Sequence, residues 1–378
     1  MLFFFFFIYL VLIFLNFTAF ASQMRIKGLA VFSFIFIIIV MAGNTMNADY
    51  EDYAYWYESG NYPIIIEPGY ELLSSFFSTI GISFSCFHVI LLSTSVIIAW
   101  HAISKLIYNF HLLLFVYLSY CIIIDTIQIR NTFATSLLLL GIFSLTNGRK
   151  FVFILLITIA STIHYSFIVF MVLLFYKSIV SFVIEHKKLL ILISASLCVF
   201  AVLGSFLQND FATLVGMVWG DAKAVYVKSK LFNIVYLVFP FLSFILASLS
   251  RDFVVYNIDK TNVEQVRQSE FADIILSAYS FLLLLSPLII LSQDTLRIHR
   301  DLNVGLVLLV TIMFCLIWEK DSSEKECIFT VNTNLYALLT FSLFCLWMIG
   351  GQDWPGYEEV FGNNMVFNEY LFSPEFSD

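Results

Sequence analysis

The chain has 378 residues, of which 61% are hydrophobic, 18% aromatic and only 12% charged, against roughly 45–50% apolar and about 25% charged in an ordinary soluble domain. With 43 Phe and so few charges it cannot cover its own apolar surface, so lipid is its solvent and the fold must be helices or a closed barrel. The apolar runs are far longer than the roughly 10-residue alternating segments of an outer-membrane barrel, and the net charge of −8 comes with no basic patch for a nucleic-acid partner.

What remains is an all-α polytopic helical bundle lodged in the bilayer as one integral membrane domain, residues 1–378, with no separate soluble domain. Runs long enough to cross, about 17–25 residues, lie at 2–20, 28–43, 86–104, 110–126, 131–147, 151–184, 189–207, 231–249, 271–291, 302–318 and 334–350. The first run ends in Ala19-Phe20-Ala21, a pattern that also fits a signal-peptidase site, although it has no basic region before it and is long enough to span. Between the second and third runs a polar loop, 44–85, contains a segment 69–82 opening at Pro68-Gly69. This segment is too short and too polar for a span and reads as an interfacial or re-entrant helix.

The interval 151–184 crosses either once or twice. Arg149-Lys150 precede it and His186-Lys187-Lys188 follow it, and a cytoplasmic preference for basic residues favours two short arms with His164 near the outer tip. Counted so, the chain has about twelve spans with both termini outside, and most Lys and Arg fall inside. The exceptions outside are Arg130, Lys223, Lys228, Lys230, Arg297 and Arg300.

Those misplaced cations are the first candidates for chemistry. Arginine presents a planar, always-charged fork that matches phosphate oxygens, so Arg130, Arg297 and Arg300 at one membrane face could hold a lipid diphosphate. Equally, they could anchor at the interface or pair with Asp125, Asp294 and Asp301. His164, ionisable within an apolar run, is a candidate proton acceptor, or else a neutral imidazole bonded to Ser161, Thr162 or Ser166. The outer loop Asn47–Glu58 mixes carboxylates with Tyr and Trp, a composition that suits sugar binding and also an ordinary interfacial aromatic belt. The six cysteines form no C-x-x-C pair and the histidines no ligand spacing, so they read as core residues and no metal or other cofactor is expected. No phosphate-binding loop or dinucleotide fingerprint occurs.

Several short motifs, in order, carry a resemblance. Asn47-x-Asp49-Tyr50-x-x-Tyr53-x-x-x-Tyr57, Glu67-Pro68-Gly69-Tyr70-Glu71-Leu72-Leu73, Ile129-Arg130-x-x-x-Ala134, His164-Tyr165-Ser166 and Leu296-Arg297-Ile298-x-Arg300 resemble the EpsG family. These are Wzy-like polymerases of bacterial capsule, exopolysaccharide and O-antigen. The resemblance covers about residues 45–310. It implies a GT-C-like, metal-independent glycosyltransferase in the bacterial inner membrane, which moves a growing glycan from undecaprenyl diphosphate to the non-reducing-end hydroxyl of an incoming lipid-linked repeat unit at the periplasmic face. By matching position, Arg130, Arg297 and Arg300 would stabilise the diphosphate and His164 would act as base or orient the hydroxyl. Asp49, Tyr50, Tyr53, Glu67 and Tyr70 would shape the glycan site. A flippase and a chain-length regulator are implied as partners. Where many relatives place an arginine and a glycine before the Asp-Tyr motif, this chain reads Ala42-Gly43-Asn44-Thr45-Met46.

Other functions fit a polytopic chain. An O-antigen ligase would use the same donor but usually needs a large loop between late spans, and the loops here are short. A flippase or transporter of lipid-linked oligosaccharide should show internal repeats or paired broken helices, and none is visible. A membrane acyltransferase would want an acid/base pair and a donor site that the sequence does not offer.

Overall fold

The computed structural model describes residues 2–44, 48–63, 66–107, 109–204, 234–291 and 298–321. The run at 334–350, Asn47 and Arg297 lie outside them. Every described element is helical and no strand occurs among the described residues. Six helical stretches are long and apolar enough to cross a membrane, and three shorter apolar helices accompany them. The chain divides into two compact units, one ending at Met171 and one beginning at Val172.

The first unit comprises α1 (Leu2–Ala21), α2 (Lys27–Gly43), α3 (Ala48–Ser59), α4 (Pro68–Thr79), α5 (Phe84–Ile103), α6 (His111–Val116), a π-turn (Tyr117–Cys121), α7 (Ile122–Ile127), α8 (Ile129–Thr146) and α9 (Lys150–Ile163). The expected span 110–126 is therefore a helix with a π-turn at its centre. Buried polar groups within the apolar mass fasten α1. The Tyr9 hydroxyl donates to the Leu118 carbonyl (2.5 Å), and Asn16 bonds both Ser33 Oγ (2.8 Å) and His111 Nδ1 (2.9 Å). The Ile26 N–H donates to His111 Nε2 (3.0 Å), which fixes a neutral ring with its proton on Nδ1.

Helix α8 is the axis of this unit, packed on α5 and α9. Its C-terminus ends in a left-handed Gly148 (φ 72°), with Gly148 N–H donating to Leu145 O (2.9 Å) and Arg149 N–H to Ser144 O (3.0 Å). This double bond pattern satisfies the last carbonyls and turns the chain back at once. Helix α9 then runs antiparallel to α8, close enough that a Cβ on Gly141 would stand 3.3 Å from the Phe153 ring. At about 1.5 Å per residue, the two helices differ in length by only about one turn, so the start of α8 and the end of α9 emerge at one end of the pair.

Two expectations change here. The stretch 131–147 was expected to begin after Arg130. The helix instead starts at Ile129, because Gln128 breaks the backbone (φ −94°, ψ 67°) and Thr132 Oγ1 bonds back to Asp125 O (2.6 Å) and Gln128 O (3.1 Å). Arg130 thus sits in the first turn, where the helix dipole opposes a cation. The outer loop is also more ordered than its polarity implied. Residues 48–59 form α3, with Asp49 and Glu51 in its first turn complementing the dipole. Its Tyr50 and Tyr57 rings pack against Phe84 of α5 at 4.9 and 5.5 Å.

In 151–184 the chain breaks at His164 (φ −150°, ψ 113°), and a 3-10 helix, Tyr165–Phe175, follows. It passes into α10 (Tyr176–Gly204). The expected separation between spans ending at 184 and starting at 189 is not a loop. It is a kink at His186, whose non-helical backbone (φ −125°, ψ 27°) joins two helical segments end to end.

The second unit continues with α11 (Ile234–Asn257), α12 (Val263–Leu285), α13 (Pro287–Leu291) and α14 (Asn303–Asp321). Asn262 caps α12 by accepting from Glu264 N (2.9 Å), so this helix starts eight residues ahead of the apolar run expected at 271. Helix α12 packs on α10 and α11, and α14 packs on α11. Every residue of α14 up to Ile317 is buried, as a helix apolar all round should be. Cys121, Cys198 and Cys315 are buried and Cys86 is exposed.

Candidate functional site

Four separated motifs of the first unit converge beside the shared end of α8 and α9. Arg130 extends from the first turn of α8. Its Nε donates to the Tyr53 hydroxyl of α3 (2.6 Å), and its Nη1 forms an ion pair with Glu67, the residue that begins α4. The Arg130 guanidinium lies 5.2 Å from the centre of the Tyr53 ring and 5.8 Å from that of Tyr70. The second carboxylate oxygen of Glu67 accepts from the backbone N–H of Tyr165 (3.3 Å), the first residue of the 3-10 helix. Glu67 therefore bridges the arginine and a free helical N-terminus, two groups that each attract an anion.

The position of Glu67 depends on a close approach. A Cβ on Gly69 would stand 2.3 Å from Thr162 Oγ1 and 2.7 Å from the Thr162 carbonyl. Only glycine lets the start of α4 lie this close to the end of α9. Pro68 occupies the first turn of α4, where its missing N–H costs nothing.

The ion pair is only partly solvated, with side chains 19% exposed for Arg130 and 8% for Glu67, so it is not a freely screened surface contact. Burial pushes the Tyr53 hydroxyl up to about 12, with Asp49 and Glu67 adding to the rise and Arg130 opposing it. Burial also holds the Tyr70 hydroxyl well above its usual 10.0. Both phenols are protonated at neutral pH, leaving Arg130 and Glu67 as the charged members.

The residues singled out from the sequence fall into three groups. Tyr53, Glu67, Tyr70 and Arg130 come together in this cluster, and Asp49 lies one turn before Tyr53 on α3. His164 is adjacent: it ends α9, its Nδ1 lies 2.8 Å from Ser166 Oγ, and the next residue carries the N–H held by Glu67. Tyr50 faces α5, its hydroxyl 3.1 Å from Ser85 Oγ and its ring edge-on to His88. Arg300 belongs to the second unit, just before α14, and its Nε is buried without a hydrogen-bond partner among the described residues. Its neighbour His299 is fully buried, with both ring nitrogens in the same state. The Asp125 carboxylate accepts from Tyr117 (2.8 Å), and the carboxylate that meets Arg130 is Glu67's.

Sequence reasoning missed Tyr62. Its hydroxyl is buried without a partner in the irregular stretch between α3 and α4, where no periodicity marks a residue as inward-facing.

The family model for the EpsG family matches residues 28–348, most of the chain and all five motifs. No curated protein and no solved structure matches. The protein belongs to the EpsG family, a family of Wzy-type polysaccharide polymerases.

Proposed function

We propose that the protein polymerises lipid-linked oligosaccharide repeat units at the periplasmic face of the bacterial inner membrane, transferring the growing glycan from undecaprenyl diphosphate to the non-reducing-end hydroxyl of the incoming unit. The observation that carries this reading is the partly buried Arg130, held in a helix's first turn against the dipole and framed by three motifs distant in sequence. A cation kept in so unfavourable a place fits a charged substrate better than it fits architecture.

In this reaction the bond from the anomeric carbon to the diphosphate oxygen breaks, and the electron pair leaves with undecaprenyl diphosphate. Arg130 stabilises that developing charge. The acceptor hydroxyl forms the new bond to the anomeric carbon, and its proton passes to His164, whose ring is steadied by Ser166. Asp49, Tyr50, Tyr53 and Tyr70 offer ring faces and acceptors to the sugars.

The test is the lipid-linked glycan profile of a strain lacking the gene, complemented with the wild type, Arg130→Ala or His164→Ala. A single undecaprenyl-linked repeat unit accessible from the periplasm should accumulate without the gene. Wild type should restore polymer, while neither variant does so at normal protein abundance. Normal polymer from both variants would overturn the assignment, as would repeat units trapped on the cytoplasmic side (a flippase) or full-length polymer left on its carrier (a ligase).

A further inference from the structure

Two buried hydroxyls close in sequence to Glu67 make no hydrogen bond in the reading above. The Tyr70 side chain is 1% exposed, and its hydroxyl has no hydrogen-bond partner among the described residues; the Tyr62 hydroxyl is likewise buried and unpartnered. Unsatisfied buried hydroxyls are uncommon because each forfeits its bonds to water and gains none in return. Two of them occur eight residues apart, on either side of Glu67. The Tyr70 ring lies 5.4 Å from that of Tyr53 and within 5.8 Å of the Arg130 guanidinium, and Tyr53, Arg130 and Tyr62 all act electrostatically on its hydroxyl.

Glu67 supplies the second observation. Its two oxygens engage a guanidinium and the first N–H of an 11-residue 3-10 helix. A phosphate group also seeks a guanidinium fork and a helical N-terminus. We propose that Glu67 is the resident anion of a diphosphate subsite, and that the donor's diphosphate displaces it from Arg130 and takes hydrogen bonds from the Tyr62 and Tyr70 hydroxyls. This inference rests on the polymerase reading for the identity of the diphosphate. It adds a binding residue, Tyr62, and gives Glu67 a role other than sugar contact.

The exchange predicts opposite signs for substitutions within one cluster. Farnesyl diphosphate binding to the purified full chain in nanodiscs is the probe, with Tyr62→Phe, Tyr70→Phe and Glu67→Gln beside the wild type. Each phenylalanine variant should bind about 5–10-fold more weakly. The melting temperature of its ligand-free form should stay unchanged or rise, because no hydrogen bond is lost. Glu67→Gln should bind more tightly, since a neutral amide competes less for Arg130. Glu67→Asp, which keeps the charge, should bind no more tightly than wild type and serves if the amide variant folds poorly.

Wild-type affinity in both phenylalanine variants would overturn the proposal. So would weaker binding by Glu67→Gln, or no binding of the probe by wild-type protein. Inorganic pyrophosphate tested in parallel separates recognition of the diphosphate alone from recognition that also needs the prenyl chain. Either result supports the subsite, provided the tyrosine dependence holds. Complementation by wild type alongside these failures would leave the polymerase reading standing; its loss with wild type would remove both.

Discussion

The two units each contain a partly buried arginine with a carboxylate partner, and they use it differently. In the second unit Arg251 of α11 is 12% exposed and meets two carboxylates, Asp273 of α12 (2.7 Å) and its neighbour Asp252 (3.2 Å). Lys187 of α10 closes on Asp252 (2.5 Å), and one turn along α12 from Asp273 both Tyr176 and Lys177 of α10 engage Glu270. Every charge in that network has a counter-charge, and three helices are tied together by it. Arg130 in the first unit shares a single carboxylate with a backbone N–H and lies beside the Tyr53 and Tyr70 rings, the Tyr70 hydroxyl having no partner among the described residues. A saturated network has nothing left to offer a ligand, whereas an under-saturated one stores unmade hydrogen bonds that a substrate can complete. The comparison teaches that the two arginines differ less in their charge partners than in what remains unsatisfied around them.

The largest effect that would break this contrast is on turnover. Arg130→Ala should lower polymer formation by about 100–1000-fold, the usual cost of removing a charge-stabilising donor. Arg130→Lys should keep the ion pair and the protein's abundance yet remain at least about 10-fold impaired, because an ammonium lacks the fork. Both are read by polymer yield per folded molecule, and retention of full activity in Arg130→Lys would place the arginine with the structural pairs. Arg251→Ala should behave in the reverse way. It should cost about 3 kcal/mol of stability by stranding Asp273, lower Tm and abundance, and leave activity per folded molecule near wild type.

A smaller effect sharpens the geometry. Gly69→Ala must push α4 from the end of α9, since its Cβ would overlap both the side chain and the carbonyl of Thr162. A cost of about 1–3 kcal/mol together with loss of diphosphate binding is expected. Stability loss without a binding defect would show that Glu67 reaches Arg130 by another route.

The smallest effect concerns pH. The folded-state Tyr53 hydroxyl titrates at about 12 against 10.0 when exposed, so the folded chain holds that proton more tightly. Its contribution is fully present below pH 10 and is lost as pH rises from 10 towards 12. Tyr53→Phe should flatten the alkaline fall of stability by at most about 1.4 kcal/mol per pH unit, measured by thermal unfolding across that range. An unchanged slope would mean that the phenol is not enclosed in the native state.

Much of this was legible from residue order. Composition and run length determine an all-helical membrane protein, because lipid forces each segment to satisfy its own backbone. Arg130 and His164 could be picked out as chemically unusual one at a time, while Tyr53, Glu67 and Tyr70 stood out through the motifs that resemble the family. Helix α3 was not legible, since its tyrosines looked like an interfacial belt until Phe84 and Phe87 gave them a surface to pack on. The boundary expected between 184 and 189 is present as a kink at His186, where the backbone leaves helical geometry without a loop. The sequence also offered Asp125 as the partner of Arg130, being five residues away, whereas the carboxylate the arginine meets lies 63 residues upstream.

By itself, then, the sequence determined the solvent, the class of fold and the family, because these follow from summed hydrophobicity and from motif order. The tertiary structure decided which charges meet. The Gly148 turn sets α9 antiparallel to α8, and Gly69 admits α4 against Thr162. Only that packing brings Glu67 to Arg130 and leaves the Tyr62 and Tyr70 hydroxyls buried without a partner among the described residues.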